Sequence, residues 1–213
     1  MTNLINAVRP SGQPPVLMFD LGNLLVRLNP ITDLWPEIEN PSELELLAGR
    51  WSGSRAVRDY ESGKIRDLPD FHRQARRELG FSVDEDAFYR IFSQMIGELF
   101  DETIPLLTAL KPVYRLMLLS NTSPFHWERC RDKQGFGTFF ERVFISCEMG
   151  VMKPDPLIYS LVLQEIKVMP QNIIFFDDRK ENINAASNMG FTAIQTFGGD
   201  PLINVLRRLN IIV

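Results

Sequence analysis

Acidic, hydroxyl and cationic side chains recur where apolar stretches of this sequence end. The stretch Val16–Phe19 is followed by Asp20, a second stretch by residues 120–122 (Ser-Asn-Thr) and a third by Asp177-Asp178. Lys153 lies just before a predicted helix. In a doubly wound sheet the ligand site lies outside the carboxyl ends of the strands. We therefore expect these side chains to face one crevice.

This set of side chains has the composition of a phosphate-handling site. Carboxylates that lie close together repel one another, so a counter-charge is required, and oxygen ligands without a nearby His or Cys suit Mg²⁺. Mg²⁺ and Lys153 would hold a phosphate dianion beside Asp20, whose carboxylate could attack phosphorus and form an aspartyl-phosphate. Ser120 would donate a hydrogen bond to the phosphoryl group. Each group alone is also common in caps and solvated loops, and only their coincidence favours catalysis.

Strand and helix patterns alternate through most of the chain. Strands are predicted at 16–19, 113–119, 142–146, 172–176 and 191–195. Their runs are apolar on both faces, which is typical of parallel strands covered by helices. Asp155 and Pro156 predict the start of a helix that reaches about residue 166, and Gly190 ends a helix that begins near Glu181. The alternation predicts an α/β fold with a Rossmann-like, doubly wound parallel sheet.

Residues 31–104 follow a helical pattern with no convincing strand. Apolar residues recur at helical spacing over Phe71, Ala75 and Leu79, which Gly80 follows, and again over residues 88–99. Residues 42–45 and 82–85 match the S-x-x-E capping box. The predicted domains are a flexible N-terminal tail at 1–14, an α/β core at 15–30 and 105–213, and an all-helical cap subdomain inserted at 31–104.

The composition is that of an ordinary globular protein and argues against two classes of partner. The chain has 213 residues, of which 45% are hydrophobic and 23% charged. Its net charge of -4 argues mildly against nucleic acid or an anionic membrane as the main partner. No signal-peptide pattern and no apolar run of membrane-spanning length are present, so we expect a cytoplasmic protein. The sequence predicts no oligomeric state.

Four ordered motifs resemble those of the haloacid dehalogenase-like hydrolases. They are FDLGN at 19–23, LLSNT at 118–122, MKPD at 152–155 and FFDDRKENI at 175–183. They look most like the subgroup that contains bacterial α-D-glucose-1-phosphate phosphatase, and the phosphatase domain of epoxide hydrolases is a more distant relative. YESGKI at 60–65 resembles a cap-helix segment of that subgroup. The helical insert lies where the family carries its first cap domain.

The resemblance implies a role for the residues that would handle phosphate. Asp20 would be the nucleophile and would also bind Mg²⁺. Ser120 and Asn121 would bind the phosphate, and Lys153 would bridge Asp20 and the phosphoryl group. These assignments agree with the chemistry that the residue types themselves suggest.

The metal ligands implied by the resemblance are Asp20, Asp178, the backbone carbonyl of Gly22, and Asp177 directly or through water, while Asn182 could support this loop. Most phosphatases of the superfamily have a second aspartate at the position of Gly22, which protonates the leaving group and then activates water. Loss of a general acid typically costs about a hundredfold or more in rate. The loss is smallest for acidic leaving groups, so Gly22 favours sugar 1-phosphates, acyl phosphates and aryl phosphates.

Three functions fit these motifs. The leading one is an Mg²⁺-dependent phosphatase of a small phosphorylated metabolite, with a sugar 1-phosphate as the best single candidate. A 2-haloacid dehalogenase would use Asp20 on carbon without a metal, but Asp177 and Asp178 would repel the carboxylate of a haloacid. The third is a phosphate-binding or regulatory module with weak or no activity, which Gly22 keeps open.

Aromatic and basic residues of the predicted cap are candidates for contacting the substrate. These candidates are Trp35, Trp51, Arg50, Arg55 and Arg58. The alternative, in which the tryptophans form the core of the cap and the arginines a solvated face, fits the sequence at least as well. Phe125 and Trp127 follow the Ser120 loop and could border the pocket. His72 and His126 have no partner at metal-ligand spacing, so we expect surface or structural roles for them.

Overall fold

The computed structural model describes residues 14–212, without the side chain of Gln134, so the predicted tail at 1–14 lies outside the described residues except for Pro14. The strands are β1 (Val16–Phe19), β2 (Val26–Leu28), β3 (Ile96–Leu99), β4 (Arg115–Ser120), β5 (Arg142–Ile145), β6 (Ile173–Asp177) and β7 (Thr192–Gln195). The helices are α1 (Pro41–Gly53), α2 (Arg55–Glu61), α3 (Leu68–Leu79), α4 (Glu85–Met95), α5 (Thr103–Leu110), α6 (Pro124–Arg131), α7 (Ser146–Met149), α8 (Pro156–Ile166), α9 (Lys180–Asn188) and α10 (Asp200–Arg208). Short 3₁₀ turns lie at Thr32–Leu34, Lys133–Phe139 and Pro170–Asn172.

Five parallel strands form the central sheet, in the order β5-β4-β1-β6-β7. Leu17 and Phe19 pack into one apolar cluster, while Val16 and Met18 pack into another on the opposite face. Because helices cover both faces, the central strand β1 is apolar and buried throughout. The predicted α/β fold is confirmed, and the five predicted strands begin and end within two residues of the expected positions.

The register of β1 brings the predicted site residues together. Phe19 is the register partner of Leu118 in β4 and of Phe176 in β6. Asp20 therefore follows the central strand with Asp177 beside it, and its amide donates to the carbonyl of Phe176 at 2.9 Å. The carboxyl ends of these strands form one edge of the sheet, as the sequence pattern predicts.

The segment between β2 and β3, residues 29–95, forms a helical insert with an apolar core of its own. Phe71 of α3 is central to this core: its ring stacks on Tyr60 at a centroid distance of 4.3 Å. It also contacts Phe92 at 5.2 Å and Trp51 at 5.9 Å. The helical stripe predicted around Phe71 is thus the inner face of α3.

The prediction of no strand in residues 31–104 is wrong. Ile96–Leu99 forms β3, which pairs antiparallel with β2 and joins the insert to the core. Leu99, predicted on a helical stripe, is the register partner of Val26. A Cβ on Gly97 would lie 2.9 Å from the β2 backbone, so the strands approach closely here. The spacing of a short apolar run after a helix fits both a helix and a strand, and pairing with the distant strand β2 decides between them.

The predicted helix ends are confirmed in three cases and corrected in two. Asp155 caps α8, and Gly80 ends α3 with a φ of 73°. Gly190, with a φ of 87°, follows the end of α9. The S-x-x-E capping boxes are wrong, because Asn40 caps α1 and Asp84 caps α4. At α1 a proline occupies the first helical position, which places the cap one residue before it. Among residues 14–212, no helix is both long and apolar enough to cross a membrane.

Candidate active site

A buried lysine joins two aspartates at the centre of the site. Lys153 Nζ lies 2.7 Å from Asp20 Oδ1 and 2.7 Å from Asp177 Oδ2. It also donates to the carbonyl of Leu119 at 2.8 Å. Lys153 is 3% exposed and Asp177 is 0% exposed. The ammonium group therefore directs all three of its donors into the protein.

The charges of this cluster do not balance. Burial, with help from the Asp177 charge, raises the pKa of Asp20 to about 6, although Lys153 opposes the shift. Burial also raises the pKa of Asp178. For Lys153, burial lowers the pKa, but Asp20 and Asp177 outweigh that effect and raise it above its usual value. Three carboxylates and one ammonium group leave an excess of negative charge, which favours a further cation.

Protein donors occupy both carboxylate oxygens of Asp177. The Asn182 side-chain amide donates to Oδ1 at 2.9 Å and to Oδ2 at 3.0 Å, and the Arg179 N–H donates to Oδ1 at 2.8 Å. Lys153 also donates to Oδ2 at 2.7 Å. Asn182 therefore supports this loop, and Asp177 anchors Lys153. This arrangement favours an indirect part for Asp177 in any metal binding.

Asp178 lines the cavity and is oriented by Asn23. Asn23 Nδ2 donates to Asp178 Oδ2 at 3.0 Å. The φ of Asn23 is 54°, in the left-handed region that asparagine tolerates better than most residues. One oxygen from each of Asp20, Asp177 and Asp178 lies within 4.8 Å of the others. This set of hard oxygen donors fits a divalent cation.

Reciprocal hydrogen bonds join the 120–122 loop to the Lys153 loop. Asn121 Nδ2 donates to the Lys153 carbonyl at 2.8 Å, and the Lys153 N–H donates to Asn121 Oδ1 at 2.8 Å. Asn121 thus positions Lys153, and its predicted contact with phosphate stays a prediction. Ser120 is 2% exposed and lies in the wall of the cavity.

A cavity of about 550 Å³ lies between the core and the helical insert. From the core, its lining includes Asp20, Gly22, Ser120, Asn121, Lys153 and Asp178. From the insert, its lining includes Trp51, Ser52, Val57, Arg58 and Glu61. The size is typical of a small-molecule site. The predicted chemistry-bearing residues therefore meet residues of the insert at one cavity.

The structure separates the predicted substrate-contacting residues of the cap. Trp51 and Arg58 line the cavity, although Trp51 also packs into the insert core. Trp35 is buried, and its Nε1 donates to a backbone carbonyl at 3.4 Å. Arg50 is exposed, and the Arg55 side chain is 84% exposed in an ion pair with Asp59. The structure therefore gives no support to a substrate contact by Trp35, Arg50 or Arg55. The substrate contact of Arg55 stays a prediction.

Two aromatic residues and both histidines serve packing. Phe125 stacks on Phe92 of the insert at 5.6 Å, and Trp127 is buried in the core; neither is among the described residues that line the cavity. His72 is buried in the insert. His126 lines the cavity, but its Nε2 donates to the Phe92 carbonyl at 2.8 Å. Burial lowers the pKa of His126 to about 4, so it is neutral and structural.

The sequence patterns did not identify Asn23, Glu61 or Arg179 as site residues. Asn23 has a weak signal, since asparagine beside glycine at a strand end is typical of a left-handed residue. Arg179 is the N-cap of α9 and lines the cavity. Glu61 lies in the YESGKI segment, whose resemblance to a cap helix marked the segment but gave Glu61 no role, because its position opposite the strand ends depends on how the insert packs on the core.

A family model for haloacid dehalogenase-like hydrolases matches residues 15–190. The chain belongs to this family. The match includes the strand ends that carry Asp20, Ser120 and Asp177, together with the whole helical insert. The resemblance that the four motifs indicate is confirmed.

Two named proteins and one solved structure are similar to this hydrolase. D-ribitol-5-phosphate phosphatase of Bacteroides thetaiotaomicron is 23% identical over 194 residues, covering 86% of this chain and 92% of its own. Sesquiterpene phosphatase of Aspergillus oryzae is 27% identical over 180 residues, covering 83% and 87%. A haloacid dehalogenase family enzyme of B. thetaiotaomicron, solved with magnesium and inorganic phosphate, has a TM-score of 0.74 at 22% identity and covers 91% of this chain and 100% of its own. That structure shares the fold.

Proposed function

We propose that this hydrolase is an Mg²⁺-dependent phosphatase that cleaves small phosphate monoesters through an aspartyl-phosphate on Asp20. The observation that carries the proposal is the placement of Asp20 Oδ1 2.7 Å from the buried ammonium group of Lys153. Asp178 lies beside them. The two similar proteins that are named as phosphatases support the same reaction.

Each side chain has a defined part in the proposed reaction. Lys153 holds Asp20 Oδ1, which leaves Oδ2 for attack on phosphorus. Ser120 and the Asn121 N–H donate hydrogen bonds to the phosphoryl oxygens, and the charge of Lys153 offsets the negative charge that develops there. The bond from phosphorus to the ester oxygen breaks, and water later releases phosphate from Asp20.

The proposed metal ligands are Asp20, Asp178 and the carbonyl of Gly22, with Asp177 acting through water. Their donors are hard oxygens, and the excess negative charge of the cluster fits a divalent cation. When bound, Mg²⁺ neutralises charge on the carboxylates and on the phosphoryl group. The relative solved with magnesium and phosphate supports the choice of metal.

A small phosphorylated metabolite suits the cavity, and a sugar 1-phosphate is the first candidate. Ser52, Arg58 and Glu61 add polar groups to the lining, and such groups can bind hydroxyls. The resemblance of the four motifs to the subgroup of α-D-glucose-1-phosphate phosphatase supports this candidate. The name of the ribitol phosphate relative makes sugar and polyol 5-phosphates the second class to test.

The proposal is tested by phosphate release from a panel of monoesters, with Mg²⁺ and with EDTA. The panel contains sugar 1-phosphates, sugar and polyol 5- and 6-phosphates, and p-nitrophenyl phosphate. We expect Mg²⁺-dependent release by the natural protein and none by Asp20→Asn, because an amide oxygen is a poor nucleophile. Asp101→Asn is the matched control, since its side chain is 89% exposed, and we expect full activity from it.

Three outcomes would contradict the proposal in different ways. Turnover by Asp20→Asn would exclude the covalent route. Halide release from a 2-haloacid without Mg²⁺ would establish the dehalogenase. If folded natural protein releases no phosphate from any ester but binds inorganic phosphate in calorimetry, the site is a phosphate-binding module.

A further inference from the structure

Cleavage of an alkyl phosphate needs a proton for the leaving oxygen, and the immediate neighbours of Asp20 do not supply a free acid. Gly22 has no side chain. Asp177 and Lys153 are hydrogen-bonded to each other at 2.7 Å. Asp178 belongs to the carboxylate cluster that would hold the metal. A donor must therefore come from elsewhere in the cavity wall.

Among the described residues that line the cavity, the remaining acids are Glu61 and Glu181. Glu181 forms an ion pair with Arg179, and its side chain is 46% exposed. No hydrogen bond within the described residues engages the Glu61 carboxyl group. Burial, with the Asp20 charge, raises the pKa of Glu61 to about 7. An acid with a pKa near the working pH transfers protons most efficiently.

Backbone contacts fix Glu61 against the core. Ser146 Oγ donates to the Glu61 carbonyl at 2.6 Å and accepts from the Thr122 N–H at 3.1 Å. Gly63 has a φ of 73°, and a Cβ there would overlap the carbonyl oxygen of Cys147. The turn at the end of α2 is thus seated beside the loop that carries Ser120, so the Glu61 side chain starts from a fixed point.

We propose that Glu61, contributed by the helical insert, is the proton-transfer residue of this active site. The inference rests on the proposed phosphatase function. As Asp20 Oδ2 bonds to phosphorus, the bond from phosphorus to the ester oxygen breaks and that oxygen takes the carboxyl proton of Glu61. The Glu61 carboxylate then takes a proton from water, whose oxygen bonds to phosphorus while the Asp20 carboxylate leaves. The products are the alcohol and inorganic phosphate, and Glu61 is protonated again.

The charged and titratable groups that face Glu61 are Asp20, Lys153, Arg179 and the Cys147 thiol. Glu61 must be protonated for the first half of the reaction. The kcat/KM for an alkyl phosphate should therefore fall as the pH rises through the pKa of Glu61, which burial raises above its usual value. An aryl phosphate such as p-nitrophenyl phosphate leaves as a stable anion, so its kcat/KM should lack this fall. The comparison uses the natural protein alone.

The substitution Glu61→Gln separates proton transfer from positioning. We expect kcat/KM for an alkyl phosphate to drop by about 10²–10⁴-fold, whereas p-nitrophenyl phosphate should lose less than about tenfold. During turnover of p-nitrophenyl phosphate, acid-quenched mass spectrometry should show more phosphate bound to the variant, because the aspartyl-phosphate still forms while water attack lacks its base. Glu148→Gln is the matched control: Glu148 is exposed, follows Cys147, and should give natural values in each assay.

Equal losses on both esters, or no loss on either, would overturn the role of Glu61. Glu61→Asp keeps the carboxyl group and should retain the pH-dependent fall at a lower rate. Circular dichroism tests whether each variant is folded. If Glu61→Gln does not fold, the natural protein still tests the proposal: identical pH profiles of kcat/KM for the two esters would overturn the role of Glu61. If Asp20→Asn is inactive while Glu61→Gln behaves as the natural protein, only this inference fails. Natural protein that cleaves no ester instead removes the phosphatase function.

Discussion

Lys153 has two roles that no single substitution can separate. It holds the proposed nucleophile Asp20, and it compensates the charge of Asp177, which is 0% exposed. A buried ion pair adds little net stability compared with apolar residues, but removal of one partner leaves an uncompensated buried charge. The conformation of the site and the stability of the core therefore depend on the same ammonium group.

We expect Lys153→Met to lower the free energy of unfolding by about 3–5 kcal/mol at neutral pH in EDTA. The loss should shrink near pH 5, because the pKa of Asp20 is already raised to about 6 and a protonated carboxyl group needs no counter-charge. Urea denaturation at the two pH values measures both effects. Lys64→Met is the control, since that lysine is 69% exposed beside Asp59 and an exposed pair contributes about 0–1 kcal/mol. Equal losses in the two variants would contradict the prediction.

The turn that follows α2 contacts the core, and this contact sets the position of the helical insert. Gly63 and Gly80 end successive insert helices, and both have a φ of 73°. A Cβ on Gly63 would overlap the Cys147 carbonyl, whereas a Cβ on Gly80 would meet nothing within 4 Å. The two glycines share a backbone conformation and differ in their contact with the core. They form a matched pair for testing how the insert is seated.

Gly80→Ala should cost about 1–2 kcal/mol, the usual penalty for a left-handed residue with a Cβ. Gly63→Ala should cost about 1–3 kcal/mol more, because the turn must move away from the core. Only Gly63→Ala should also lower kcat/KM, since Glu61 moves with the turn. Thermal unfolding and ester hydrolysis measure the two effects. Equal stability losses and equal activity would show that the contact with Cys147 does not seat the insert.

The polar residues of the candidate site lie between two separately packed units, the α/β core and the helical insert. The insert core and the clusters on the two faces of the sheet share no buried residue. The cavity lies where they meet, so polar groups there do not interrupt either core. A ligand that binds the folded cavity but not the unfolded chain adds the free energy of its binding to the stability of the native state.

Mg²⁺ should therefore raise the melting temperature of the natural protein. At a free concentration of about 100 times its Kd, a ligand of the native state adds about 2.7 kcal/mol. Asp178→Asn should reduce the shift, because it removes a proposed ligand while the amide oxygen can still accept from Asn23. Asp101→Asn, at an 89% exposed side chain, should keep the full shift. A shift of the same size in both variants would place the metal elsewhere.

The sequence by itself determined the parallel sheet and the residues at its edge. Apolar runs that end in Asp20, Ser120 and Asp177 specify both at once, since local pattern fixes each strand and the carboxyl ends of parallel strands necessarily meet. Helix ends at Asp155 and Gly80 were predictable for the same reason, because capping depends on neighbours in the chain.

Only the tertiary structure decided what depends on contacts between distant segments. β3 formed because β2 lies beside it, although the apolar spacing of its residues also fits a helix. Most of the aromatic residues that were predicted to contact the substrate pack in apolar cores instead, where their large apolar area is buried. Glu61 reached the cavity because Ser146 and Cys147, more than eighty positions along the chain, hold its turn. Periodicity reports burial within one element, whereas packing sets which buried or polar surfaces meet.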